Sequence, residues 1–190
     1  MSEYRKSTWR YETGALQSMS IGPFSAVRGV VVLSSPDGRK HKYNEVSFGF
    51  NVGKRIPVKF QLPDIPLPHA AFKGNGVTGS GSTIDFDGGG VVFMTPTFQG
   101  DELSTDDFSG AANSIEGGGG LLVAYGYTFL FTGMPQAVLL AGLSNPAFLG
   151  IALRTAKGLI IIRGISEGLI DGLGVTSSFG ALSYGGEYVE

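Results

Sequence analysis

No charged residue occurs between Glu116 and Arg154, and this 37-residue stretch, Gly117–Leu153, constrains the fold more than any other feature of the chain. So long a run without charge has to be covered, because apolar surface left in water costs about 25 cal/mol per Å². A helix needs about 20 consecutive apolar residues to cross a bilayer. Gly133, Pro135, Gln136, Gly142, Asn145 and Pro146 break the run before that length is reached. The expectation is therefore not a permanent membrane helix but a core, a subunit interface or a surface that meets lipid conditionally.

Within the stretch, Leu121, Val123, Tyr125, Tyr127, Phe129 and Phe131 alternate with Ala124, Gly126, Thr128 and Thr132. Period-2 alternation predicts a strand with an aromatic face opposite a small-residue face. Pro135 and Pro146 each suit a first helical turn, and Ser144 or Asn145 can cap the second, which predicts short helices over 135–143 and 146–157. From Leu159 to Gly174, three side-chain classes recur every fourth residue: Ile161, Ile165, Leu169 and Leu173; Gly164, Gly168 and Gly172; Arg163, Glu167 and Asp171. On a helix each line would share a face, and a glycine line lets apolar helices approach closely. The recurrence predicts a helix, although Leu159–Ile162 also makes a good strand and five glycines between 158 and 174 weigh against helix.

The first half reads as sheet. Val27–Leu33 is a β-branched run that ends at Ser34-Ser35-Pro36-Asp37-Gly38, a tight-turn sequence. Beyond the turn, Val46, Phe48, Phe50 and Val52 alternate with Glu45, Ser47, Gly49 and Asn51, which predicts a hairpin whose polar face is wet. A further strand is expected over 56–62 as an edge, because Pro57 removes a ladder donor, and sheet propensity returns at Thr83–Asp87 and Val91–Met94. The fold class expected is mainly β (α+β), an antiparallel sandwich- or barrel-like sheet from the N-terminal half with an apolar, glycine-rich, partly helical C-terminal third. One domain is expected, with a β-rich part over 1–98, an acidic glycine-rich loop over 99–120 and the apolar part over 121–190. Glycine at 31 of 190 positions, without a three-residue period, serves turns and close packing rather than a collagen helix.

The chemistry available is narrow. With no cysteine there is no disulfide, thiolate metal site or cysteine nucleophile. Gly164-Ile165-Ser166-Glu167-Gly168 matches the nucleophile elbow of serine hydrolases, but the fold that uses it needs a histidine downstream, and His41 and His69 both lie upstream. Gly74-Asn75-Gly76-Val77-Thr78-Gly79 matches a dinucleotide fingerprint as a string but is followed by a second turn and a strand rather than a helix. Asp85, Asp87, Asp101, Glu102, Asp106 and Asp107 fit no calcium-loop spacing, because the glutamate at position twelve would fall on Pro96. No catalytic residue, cofactor site or metal site is assigned, and no small-molecule substrate is evident.

Charge is distributed unevenly. Residues 1–74 hold 11 of the 14 basic side chains against 5 acids, while residues 75–120 hold 7 acids and no base. Arg39, Lys40, Lys42, Lys54 and Arg55 are the candidate contacts for an anionic partner. A sequence pI of 5.7 argues against nucleic acid as that partner. The basic N-terminus is not followed by an apolar run of signal-peptide length, so the expected location is the cytoplasm or export by a leaderless route. Two functions follow. The first is a non-enzymatic effector or pore-forming toxin that uses Tyr125, Tyr127, Phe129, Phe131, Gly164, Gly168 and Gly172 to meet a lipid membrane. The second is a structural subunit that uses the same residues against copies of itself.

Overall fold

A computed structural model describes residues 4–21, 24–52, 90–119, 123–144, 146–167 and 174–189. Eight antiparallel strands close into a barrel: β1 (Arg5–Ile21), β2 (Phe24–Ser34), β3 (Lys40–Val52), β4 (Gly90–Met94), β5 (Gly110–Gly119), β6 (Val123–Met134), β7 (Gly158–Glu167) and β8 (Gly174–Glu187). Their order around the barrel is β1-β2-β3-β8-β5-β6-β7-β4, and β4 pairs back onto β1. The mainly β, barrel-like fold expected from the sequence is the one found. Its sheet, however, is not built from the N-terminal half alone, since β5 to β8 supply half of the strands.

The β2–β3 hairpin forms where Pro36-Asp37-Gly38 demands it, with Gly38 at φ +85 and Ser34 opposite Lys40. Two helices, α1 (Gln136–Ser144) and α2 (Pro146–Arg154), start at or beside the prolines that predicted them. Residues 99–120 are not a loop throughout, because Thr105–Phe108 form a 3₁₀ turn and Gly110–Gly119 form β5. The segment predicted to be a helix from Leu159 is instead β7 up to Glu167. Residues four apart share a face on a strand as well as on a helix, so the four-residue recurrence did not distinguish them. The strand expected at 56–62, the one at Thr83–Asp87, the 74–79 loop, His69, Lys54, Arg55, Gly168 and Gly172 lie outside the described residues.

Two apolar clusters hold the barrel. The inner one gathers Trp9 and Tyr11 of β1, Val31 and Leu33 of β2, Tyr43 of β3, Val92 and Met94 of β4, Ala112 of β5, Leu130 of β6, Ile160 and Ile162 of β7 and Leu182 of β8. It occupies the end at which the β2–β3 turn, residues 95–109 and the α1–α2 hairpin lie. The outer cluster packs that hairpin, through Leu139, Leu153 and Ala156, onto Phe93, Ala111, Ile115, Phe131, Met134, Leu159 and Ile161. A barrel of eight strands has an interior just wide enough for side chains to fill, which is how this end is sealed.

Candidate functional site

On β3 the faces are reversed from the sequence expectation. Glu45 and Ser47 are buried at 4% and 3% exposure, whereas Val46 and Phe48 are 48% and 65% exposed. The alternation was read correctly, but its wet face is the apolar one. Inward positions at the same level on β8 and β5 are small or polar, Ser47 pairing with Gly180, Gly49 with Ser178 and Ser178 with Ser114, while Val27 of β2 stands opposite Ser47 and Leu130 of β6 opposite Ser114. Ser114 and Ser178 are buried, and the Ser47 hydroxyl donates to Glu45 Oε1 at 3.3 Å.

The ladder continues the two rows beyond these residues. In step with the inward row stand Asn51 with Thr176, Glu116 with Thr128 and Thr176, Gly118 with Gly126, Gly126 with Gly164, and Ala124 with Ser166. In step with the outer row stand Phe24 with Phe50, Ala26 with Phe48, Val52 with Val175, Tyr125 with Ile165 and Phe129 with Ile161. Two arginines belong to the outer row, Arg28 opposite Val46 and Arg163 opposite Tyr127. Among the side chains described at this level, Glu45, Ser47, Ser114 and Ser178 are buried inside, while Val46 and Phe48 are exposed outside. No helix among the described residues is long and apolar enough to cross a membrane.

The residues singled out from the sequence divide between these regions. Tyr125, Tyr127, Phe129 and Phe131 share one row of β6, but Phe131 is fully buried beneath the helical hairpin and Phe129 is half-buried beside it. Gly164 pairs with Gly126 inside the β6–β7 ladder rather than on a helix face. Ser166 lies in extended β7 opposite Ala124, not on the strand-to-helix turn that an elbow needs. Arg39, Lys40 and Lys42 come together at the β2–β3 turn, on the sealed end. Arg39 is engaged there by Asp37 at 2.7 Å and Glu187 at 3.0 Å.

The sequence reading missed how the sealed end is fastened. Glu102 accepts from Ser7 Oγ at 2.5 Å, Thr8 Oγ1 at 2.7 Å, Thr8 N at 2.8 Å and Leu103 N at 2.9 Å. Partial burial raises the Glu102 carboxyl, but these donors outweigh it and hold the group below its ordinary value. Asp107 is also lowered: burial opposes ionisation, while Lys157 Nζ at 2.7 Å and the Ser104 hydroxyl and amide favour it. In the sequence Glu102 and Asp107 stand out only as members of an acidic segment, which carries no address for their distant partners Ser7, Thr8 and Lys157.

Both depressed carboxyls contribute stability that is present above their unfolded values, about 4.3 for Glu and 3.9 for Asp, and lost as pH falls through the folded values. Hydrogen exchange is therefore expected to show the amides of 95–109 losing protection as pH falls below about 4, ahead of those in β3 and β8. Simultaneous loss in all three would contradict a locally fastened segment.

The chain is similar to a toxin. It is 28% identical over 189 residues to Toxin protein Tse4 of Pseudomonas aeruginosa, which covers 93% of this chain and 94% of that protein. No family model and no solved structure matches the chain.

Proposed function

We propose that this protein is a non-enzymatic toxin that acts on a lipid membrane, placing the outer row of its barrel in the bilayer and its polar row around a lumen. The observation that carries the reading is the reversal on β3, with Glu45 and Ser47 buried between exposed Val46 and Phe48. The similarity to Toxin protein Tse4 over nearly the whole chain supports the toxin part. In lipid, closure of the barrel leaves no unpaired strand edge, and an apolar outer row replaces the water that Val46 and Phe48 now meet.

The absence of cysteine makes the reading testable one residue at a time. Single cysteines at Val46, Ser47 and Phe48, each carrying an environment-sensitive fluorophore, are expected to alternate on addition of phosphatidylglycerol-containing liposomes. Positions 46 and 48 would shift to the blue and position 47 would not. A potential-sensitive dye in the same liposomes, loaded with a potassium gradient, is expected to report loss of the gradient. An unchanged gradient with no alternation across a range of pH and lipid composition overturns the proposal. The same exposed strip would also suit contact between copies, as in an assembly subunit. Light scattering without lipid separates the two, since a monodisperse monomer at micromolar concentration removes the assembly reading.

A further inference from the structure

Residues 95–109 lie across the sealed end of the barrel and are bound to it on several sides. Leu103 and Phe108 are the members of the inner cluster that come from this segment, and Phe108 is fully buried. The Phe108 ring meets Trp9 edge-on at 4.9 Å between centroids and Tyr43 at 5.6 Å. Two of the large lumenal side chains, Trp9 and Tyr43, are tethered to the same segment through their polar ends. Trp9 Nε1 donates to Leu103 O at 2.7 Å, and the Tyr43 hydroxyl donates to Thr105 O at 3.1 Å.

Outside the lumen, Glu102 fastens the segment to β1 through Ser7 and Thr8, and Arg5 Nη2 donates to the carbonyls of Phe98 and Gly100 at 2.9 and 2.7 Å. Lys157, immediately before β7, holds Asp107. Gly133, at φ +69, brings its backbone against the Asp107 carbonyl so closely that a side chain there would strike it. These attachments differ from ordinary core packing, because they are polar, numerous and confined to one segment. Ionised carboxylates fixed by several donors hold a loop firmly while they last, and removing one leaves a whole set of donors without its acceptor.

We propose that residues 95–109 are a lid on the lumen, which conducts only when the Glu102 and Asp107 attachments release and Phe108 withdraws from between Trp9 and Tyr43. This rests on the membrane reading above. With the lid in place the passage ends in packed aromatic and aliphatic side chains, an apolar constriction of the kind that excludes water and ions. With the lid gone, Trp9 and Tyr43 lose the hydrogen bonds that fix their rings across the opening.

The test compares Glu102→Gln, Lys157→Met and Tyr43→Phe with the unaltered protein at equal liposome-bound amounts and neutral pH. Potassium flux and hydrogen exchange of the 95–109 amides are measured on each. Faster exchange in 95–109, with β3 and β8 unchanged, is expected to accompany a flux at least about five times higher. Tyr43→Phe removes a single hydroxyl and keeps the comparison available should a charge variant fail to fold. Faster exchange with unaltered flux overturns the lid alone. No flux from any of the four proteins overturns the lid together with the membrane reading.

Discussion

Phe48→Asp is expected to reduce potassium flux into liposomes about a hundredfold while leaving the fold in water nearly unchanged. In water the Phe48 ring is mostly solvated, so its removal forfeits little packing, and a polar residue in a strand costs at most about 1 kcal/mol. In lipid the accounts differ. The lost transfer of a phenylalanine is worth about 2 kcal/mol, and a carboxylate on the lipid-facing side adds a further penalty of up to about 2 kcal/mol. At 1.4 kcal/mol per factor of ten, the inserted state loses between about thirtyfold and several hundredfold. Thermal unfolding monitored by circular dichroism, run beside the flux assay, checks both halves of the expectation. Unaltered flux would remove Phe48 from any lipid contact.

Gly180→Ala is the second large effect, and it acts on the fold itself. A Cβ at position 180 would land on the Val46 carbonyl and within 2.5 Å of Ser47 Cα, both backbone of the neighbouring strand β3. No side-chain rotation relieves such a contact. The β3–β8 ladder would have to part where Ser47 pairs with Gly180, in the middle of the barrel wall. Overpacking a well-packed core costs about 1–3 kcal/mol, and a clash against a ladder belongs at or beyond the upper end. Chemical denaturation is expected to show a loss of about 3 kcal/mol or more. A loss under 1 kcal/mol would mean that the two strands can separate there without consequence.

The parts of the fold legible in the sequence were those with local punctuation. Pro36-Asp37-Gly38 announced the β2–β3 turn, and Pro135 and Pro146 announced the helices, because each residue restricts the backbone on its own account. β8 was not legible. Val175 to Gly186 mixes serine and glycine with only scattered large residues, and a strand hydrogen-bonded on both edges needs no side-chain pattern of its own. β1 was obscured in another way, since its register shifts between Tyr11 and Thr13 and so breaks the alternation that would have marked it. The direction of the site was the deepest difficulty. Period-2 alternation on β3 states that two faces differ but not which one is inside, and that was decided by Gly180, Ser178 and Ser114, far away in the chain. The membrane candidates Tyr125 to Phe131 were found on one row, as their spacing required, yet α1 and α2 cover part of that row and leave Val46 and Phe48 on the open side.

If the barrel enters a bilayer as proposed, the number of strands sets a size limit on whatever crosses. A wall of eight strands has a fixed girth, and girth determines bore, so on the proposed membrane reading a single barrel passes at most water and small ions and nothing as bulky as a fluorescent dye. One copy of this barrel would thus behave as a leak for small electrolytes and retain larger solutes, whereas calcein escape from the same vesicles would require the walls of several copies to merge into a wider ring. Comparing the two kinds of release measures stoichiometry without any structure of the inserted state.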